Sequence, residues 1–197
     1  MYEKVNKLGI TENHVQVLTL FTNGFDREYY IREVQKLLNV SPRTAQLVLE
    51  DLEGKTVLES QTRGKIKVYR LRKSMMAREY LILAEEYKRI SFLEKNNLIR
   101  EIVEKIIPHI KGIAVVFGSY AKGIQKEDSD VDVFIAGDYN KSKIDNISKM
   151  YGVNISVKKY PLDLFEKEIR SDPLLKEIIE NHVVVSGTES FINIVLQ

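Results

Sequence analysis

The chain has 197 residues, 44% of them hydrophobic and 29% charged, with a net charge of +2 and no cysteine. That is enough apolar material for a core in one domain or two small ones, and it excludes disulfides, thiolate zinc sites and cysteine nucleophiles. No stretch reaches the roughly 18 apolar residues of a membrane span, and Met1-Tyr2-Glu3-Lys4 lacks the charged-then-apolar design of a signal peptide, so a cytoplasmic location is expected.

Residues 1–72 carry 12 basic against 9 acidic side chains, a modest excess compatible with a nucleic-acid partner but too small to establish one. Val15, Leu18 and Phe21 recur at helical spacing behind Thr11, a good cap, and predict a first helix. After the Asn23-Gly24 break, Asp26 is expected to open a second helix with Tyr30, Ile31, Val34, Leu37 and Leu38 inward. The third has the sharpest boundaries. Ser41 is a good N-cap, and Pro42 suits the first helical position, where no N–H is needed. Ala45, Val48, Leu49 and Leu52 form an i, i+3, i+4, i+7 stripe, and Gly54 stops the helix. Strand-like runs at 56–59 and 65–69, joined by a polar, glycine-containing stretch at 60–64, predict a hairpin.

The run from Ser41-Pro42-Arg43 through Leu58, followed by Thr62-Arg63-Gly64-Lys65, resembles the recognition helix and wing of a winged helix-turn-helix domain over about residues 8–72. The resemblance implies a third helix in the major groove of double-stranded DNA and a wing on its backbone. The helical wheel points Arg43, Gln46, Leu47 and Glu50 outward. Arg43 is then placed to read a guanine edge or a phosphate, and Gln46 an adenine edge, while Arg63, Lys65, Lys67 and Arg70 of the wing meet phosphates. Glu50 and Asp51 suit a polyanion less well. Winged helices also serve as protein-docking or dimerisation modules, so a homodimer stays open.

Residues 73–107 read as a helical connector with Tyr80, Leu81, Ala84 and Tyr87, then Leu98, Ile99, Ile102, Val103 and Ile106 at helical spacing. Ser91 with Glu94 forms a possible capping box, and Asn96-Asn97 a possible kink. From Pro108 strands and helices alternate: strands at 113–117, 130–136 and 153–157, helices at 119–123, 141–150, 161–169 and 173–181, an edge strand at 183–185 and a closing helix at 191–196. Met150 is expected inward on the helix at 141–150, and Leu174, Leu175, Ile178 and Ile179 on that at 173–181. His14, His109 and His182 are scattered singly and read as core or surface residues, not as metal ligands. The expected fold class is α+β. It comprises an N-terminal unit at 1–72, a connector at 73–107 and a small mixed sheet with packed helices at 108–197.

Chemistry concentrates in that last part. Gly118-Ser119 follows the apolar run Ile113-Ala114-Val115-Val116-Phe117, and Asp130-Val131-Asp132 heads the next one. Residues two apart on a strand point the same way, so the two carboxylates project together while Val131, Val133 and Ile135 face the core. Held that close, they repel unless a cation lies between them. Hard oxygen donors on a short segment suit Mg²⁺, or Mn²⁺, with water and phosphate oxygens filling the remaining positions.

Phe117-Gly118-Ser119-Tyr120-Ala121-Lys122-Gly123 followed by Ser129-Asp130-Val131-Asp132 resembles the signature of minimal nucleotidyltransferases of the DNA polymerase beta superfamily. The resemblance covers about residues 108–197. It implies that Gly118 and Ser119 contact nucleotide phosphates through the hydroxyl and the N–H groups of the turn. It also implies that Asp130 and Asp132 carry the metal and are the catalytic pair. Lys122 stands where the family often has a basic residue beside the phosphates; alternatively it is simply a solvated surface lysine.

Two-metal transfer in this superfamily normally uses a third carboxylate from the adjacent strand to help lower the pKa of the attacking hydroxyl. Here Asn154 and Ser156 occupy the positions expected for it, with Asn154 a possible ligand through its oxygen, and Asp138, Asp163 and Glu166 are the acids nearby in sequence. Two functions follow. One is an enzyme moving a nucleoside monophosphate from a Mg-bound NTP to a hydroxyl. The other is a weak or inactive DNA-binding regulator whose C-terminal part senses nucleotide or binds a partner, including an antitoxin paired with a HEPN toxin.

Overall fold

The computed structural model describes residues 9–197, which leaves Met1-Lys4 outside the described residues. The molecule is α+β. Helix α1, Glu12–Thr22, starts behind Thr11 and buries Val15, Leu18 and Phe21 as its spacing predicts. Helix α3, Pro42–Gly54, has Ser41 as its cap: the Thr44 N–H donates to Ser41 Oγ at 2.9 Å, and Ala45, Val48, Leu49 and Leu52 are all buried.

Between them the structure departs from the sequence reading. Asp26 opens no helix. Glu28–Tyr30 is instead a short strand, β1, and helix α2 begins only at Ile31 and ends at Leu38. Tyr29 is pulled into the strand by its register partner Tyr69 and by its hydroxyl, which donates to the Leu20 carbonyl at 3.0 Å. The resulting phase turns Leu37 out to solvent, at 57% exposure, and leaves Val34 as the buried residue of α2.

The hairpin strands, β2 Leu58–Arg63 and β3 Ile66–Leu71, run further than their apolar stretches suggest, because a polar exposed face does not prevent pairing. Arg63 and Ile66 are partners, so only Gly64 and Lys65 turn the chain. The first sheet has the order β1-β3-β2, antiparallel throughout.

Helix α4, Met75–Lys95, is the longest element, and α5, Asn97–Ile106, follows it directly. Ser91 and Glu94 lie inside α4 and cap nothing. The break is at Asn96, whose side-chain amide donates to the Phe92 carbonyl at 2.8 Å. Helix α4 packs against α1 on one side.

The second sheet contains β4 Ile110–Phe117, β5 Val131–Tyr139, β6 Ile155–Tyr160 and β7 Val183–Ser186, in the order β6-β5-β4-β7. The β5–β6 pair is parallel and the other two antiparallel. Strand β5 runs past residue 136, where the sequence reading ends it, to Tyr139. Gly137 faces Gly112 of β4, and a Cβ on either would lie about 2 Å from a carbonyl oxygen of the other strand, at 2.1 Å and 2.3 Å respectively. The two glycines therefore let the strands close up and continue.

The remaining helices are α6 Gly118–Lys122, α7 Lys141–Tyr151, α8 Leu162–Glu168, α9 Pro173–Glu180 and α10 Thr188–Val195. Met150 is exposed, at 63%, and Leu174 and Ile179 are only partly buried, because α7 and α9 each lie over the sheet by a narrow stripe.

Both sheet faces are covered. Val131, Val133 and Ile135 pack with Ile99, Ile102 and Ile106 of α5 and Ile144 of α7. Phe134 and Ala136 face the opposite core, with Phe165, Leu175 and Phe191. That second core runs on without interruption through Ala77, Leu81 and Ala84 of α4 to Leu18, Phe21 and Leu49, so α4 joins the N-terminal helices to the sheet.

Candidate nucleotide site

At the end of β4 the chain turns through Gly118 with φ 69°, a left-handed conformation that suits glycine. A Cβ there would lie 2.2 Å from Asp132 Oδ2, so the position needs glycine for space as well. Asp132 is the register partner of Phe117, which is why the turn and the carboxylate meet. Ser119 sits in the first turn of α6, and its carbonyl accepts the Ile124 N–H at 3.0 Å, closing the loop.

Asp130 lies one residue ahead of β5, exposed, where the Val131 N–H donates to the Asn154 carbonyl at 2.9 Å and pins the strand start to β6. Asp132 is half-buried on the Phe134 face, opposite to Val131 and Val133. Burial first, then the charges of Asp130 and Glu177, push its carboxyl above the usual carboxylate value, against a Ser156 hydroxyl and a Lys158 ammonium that favour ionisation. The anion is thus left under-compensated.

Strand β6 presents Ser156 beside Asp132 and Lys158 beside Phe134 on that same face. The positions expected for a third acid therefore hold Asn154 and Ser156, with a cation next along. None of the other acids near in sequence replaces it. Asp138 is six residues along β5, about 20 Å away, and pairs with Lys159 at 2.6 Å. Asp163 and Glu166 follow the C-terminal end of β6, which runs parallel to β5, so they too lie at the far end of the sheet.

Two features lay beyond the sequence reading. Lys122 is neither free beside the turn nor merely solvated: its Nζ donates to Glu177 Oε1 at 2.8 Å. Glu177 comes from α9, whose Leu175 and Ile178 pack on the face to which Asp132 points. Nothing local marks Glu177, since only the packing of α9 across the sheet brings it there.

Among the described residues no three His, Cys, Asp or Glu side chains cluster as a metal site. Asp130, Asp132 and the Ser156 hydroxyl are hard oxygen donors beside a turn cleared of any side chain. That set fits one Mg²⁺ shared with phosphates and water, and it does not fit a second ion.

The candidate DNA-contacting side chains are more engaged than expected. On α3, Arg43 Nη1 donates to Gln46 Oε1 at 3.4 Å and Gln46 Nε2 to Glu50 Oε1 at 2.8 Å. Arg63 grips Glu28 with two bonds of 2.6 and 2.9 Å, Lys67 pairs with Glu53 at 2.6 Å and Arg70 with Glu59 at 2.7 Å. Lys65, at the hairpin tip, is exposed. Asp51 holds His14 at 3.0 Å, a structural use for both.

Residues 97–186 match the nucleotidyltransferase domain family. A protein from Methanocaldococcus jannaschii, whose name provisionally ascribes protein adenylyltransferase activity to it, is 34% identical over 89 residues, spanning 45% of this chain and 94% of that protein. The solved structure of TrmBL2, an archaeal chromatin protein, aligns over 89% of this chain and 72% of its own at 15% identity, with a TM-score of 0.30, too slight a likeness to bear on the fold. No helix among the described residues is long and apolar enough to cross a membrane.

Proposed function

Because the chain belongs to the nucleotidyltransferase domain family, we propose that it binds a Mg-bound NTP at the Gly118 turn and moves the nucleoside monophosphate to a hydroxyl acceptor. The relative's name favours ATP and a protein side chain. The observation that carries this reading is the close approach of Gly118 to Asp132, which a side chain at 118 would block and which sets a glycine turn directly against a carboxylate. The turn N–H groups and the Ser119 hydroxyl donate to phosphate oxygens, and Asp130 and Asp132 hold the ion. Bound there, Mg²⁺ would draw charge from the triphosphate and favour departure of pyrophosphate. The test is transfer of label from α-labelled ATP with Mg²⁺. Wild type labels an acceptor, Asp130→Asn loses Mg-dependent nucleotide binding, and Ser119→Ala weakens it. Binding unchanged in Asp130→Asn overturns the assignment.

A second reading is favoured by the neutral Asn154 and Ser156 on β6: slow transfer, with the site sensing nucleotide for a DNA-binding N-terminal unit. Three wing cations have exposed carboxylate partners to give up, so Arg43 and Lys65, which break no ion pair, are the first phosphate contacts. Two neutralised phosphates give a slope of log K against log salt near roughly −1.8 per protomer, and Lys65→Ala removes about half of it. No binding to duplex DNA at low salt eliminates this reading. If the chain is an antitoxin, the acceptor hydroxyl belongs to its HEPN toxin, and co-purified toxin carries the label.

A further inference from the structure

The site as described lacks a group to take the acceptor's proton. Asn154 and Ser156 have no basic form near neutrality, and Lys158 beside them is a cation. The acid that reaches this end of the sheet from elsewhere is Glu177, close enough for its charge to bear on Asp132, yet outside any three-acid cluster that could hold a metal. It is also already tied to the nucleotide turn, through Lys122 at 2.8 Å.

Resting on the nucleotidyl-transfer reading, we propose that Glu177 is the general base for the acceptor hydroxyl. In the free protein it is held by Lys122, which leaves it for the phosphates when nucleotide binds. The pair is built for exchange. Both side chains are partly solvated, 33% exposed for Lys122 and 54% for Glu177, and an ion pair in that setting is weak. A triphosphate arriving at Gly118 brings several negative charges within reach of a lysine three residues after Ser119, and outcompetes a single carboxylate. Glu177 then stands uncovered beside the turn that holds the phosphates.

In the transfer step the acceptor O–H bond breaks as its proton passes to a Glu177 carboxylate oxygen. The acceptor oxygen bonds to the α-phosphorus, the bond from that phosphorus to the bridging oxygen of the β-phosphate breaks, and pyrophosphate leaves. Glu177 afterwards loses the proton to water. The site is then a one-ion site with a carboxylate base from α9, which accounts for β6 carrying no acid.

The exchange is read without any acceptor, by calorimetry of the full chain with Mg²⁺ and α,β-methylene-ATP. Glu177→Gln frees Lys122, so affinity rises roughly two- to five-fold, the scale of an exposed ion pair. Lys122→Ala weakens binding, and in that background Glu177→Gln gives a smaller gain. The base role is read from pyrophosphate release from ATP, with water and the protein's own hydroxyls as acceptors. Glu177→Gln lowers kcat by about 10²- to 10⁴-fold, despite the tighter binding. Unchanged affinity in Glu177→Gln overturns the exchange. A kcat that stays at the wild-type value overturns the base, whereas wild type that binds nucleotide yet releases no pyrophosphate overturns the transfer reading on which the base rests. Wild type that does not bind the Mg-bound analogue at all instead overturns the nucleotide-site reading on which both rest.

Discussion

Two clusters of charge in this molecule are treated in opposite ways. At the junction of α1, α4 and β7, Lys88 spends all three of its N–H groups on protein: Glu85 Oε1 at 2.8 Å, Thr22 Oγ1 at 3.2 Å and His182 Nε2 at 3.2 Å. His182 Nδ1 lies 2.7 Å from the Ile179 carbonyl and donates to it, which fixes the tautomer that accepts from Lys88. Burial alone would raise the Glu85 carboxyl, but the Lys88 ammonium beside it holds it down at about 2. At the end of the second sheet, by contrast, Asp130 and Asp132 sit together, the Lys158 ammonium and the Ser156 hydroxyl favour ionisation of Asp132 without outweighing its burial and the neighbouring acids, and Lys122 is turned to Glu177. Charge that is buried and internally answered holds the fold. Charge that is half-exposed and only partly answered weakens it.

The junction gives the largest expected effect. Lys88→Met leaves Glu85, a fully buried carboxylate whose Oε2 already has no partner among the described residues, without its cation. Removing one member of a buried pair costs about 3 to 5 kcal/mol, and α4 loses its tie to α1 and β7 together. Lys67→Ala, which breaks an exposed pair with Glu53, costs at most about 1 kcal/mol. Denaturant unfolding of the two variants checks the contrast, and equal losses would remove it.

Acid should unpick the same junction more gently. Burial, then the charge of Lys88, lowers the His182 pKa in the folded protein. A depressed folded value means that His182 contributes stability above its unfolded value of about 6.5, and that this contribution drains away as pH falls toward the folded value. His182→Gln keeps a donor and an acceptor but does not titrate, so it flattens the stability slope below about pH 6.5. A slope that survives the substitution assigns the acid loss to carboxylates instead.

The contrast also explains what the sequence could and could not reveal. Ser41-Pro42, the Ala45 stripe, Gly118 and the alternation of Val131, Val133 and Ile135 with Asp132 and Phe134 are local rules, cap chemistry, helical period and strand period, and the structure follows each of them, although Asp130 itself falls just ahead of the strand. Tyr29 drawn into β1 by Tyr69, the Gly112–Gly137 pair that prolongs β5, and Lys122 held by Glu177 are decided by residues 40, 25 and 55 positions apart. Periodicity within one segment carries no signal of these. His182 read only as a core or surface histidine, and its place in the core and its partners on α4 became visible only once β7 was placed on the sheet edge beside that helix.

The smallest expected effect is also the sharpest test of the unanswered pair. Because burial and neighbouring acids raise the Asp132 carboxyl in the folded protein, the sign is opposite to that at His182. The advantage to the fold is full below the unfolded value of about 3.9, is lost as pH rises through the raised folded value, and ionised Asp132 weakens the fold at neutral pH. Asp132→Asn therefore raises the thermal midpoint of the ligand-free protein, by an amount within the roughly 0.5 kcal/mol range of half-exposed substitutions. Mg²⁺ with α,β-methylene-ATP should raise the midpoint of wild type, since a ligand that binds only the folded state stabilises it, and should leave Asp132→Asn where it is. The crossing of the two responses is what identifies a ligand site, because a merely structural aspartate would lower the midpoint when replaced and would not change how the protein answers nucleotide.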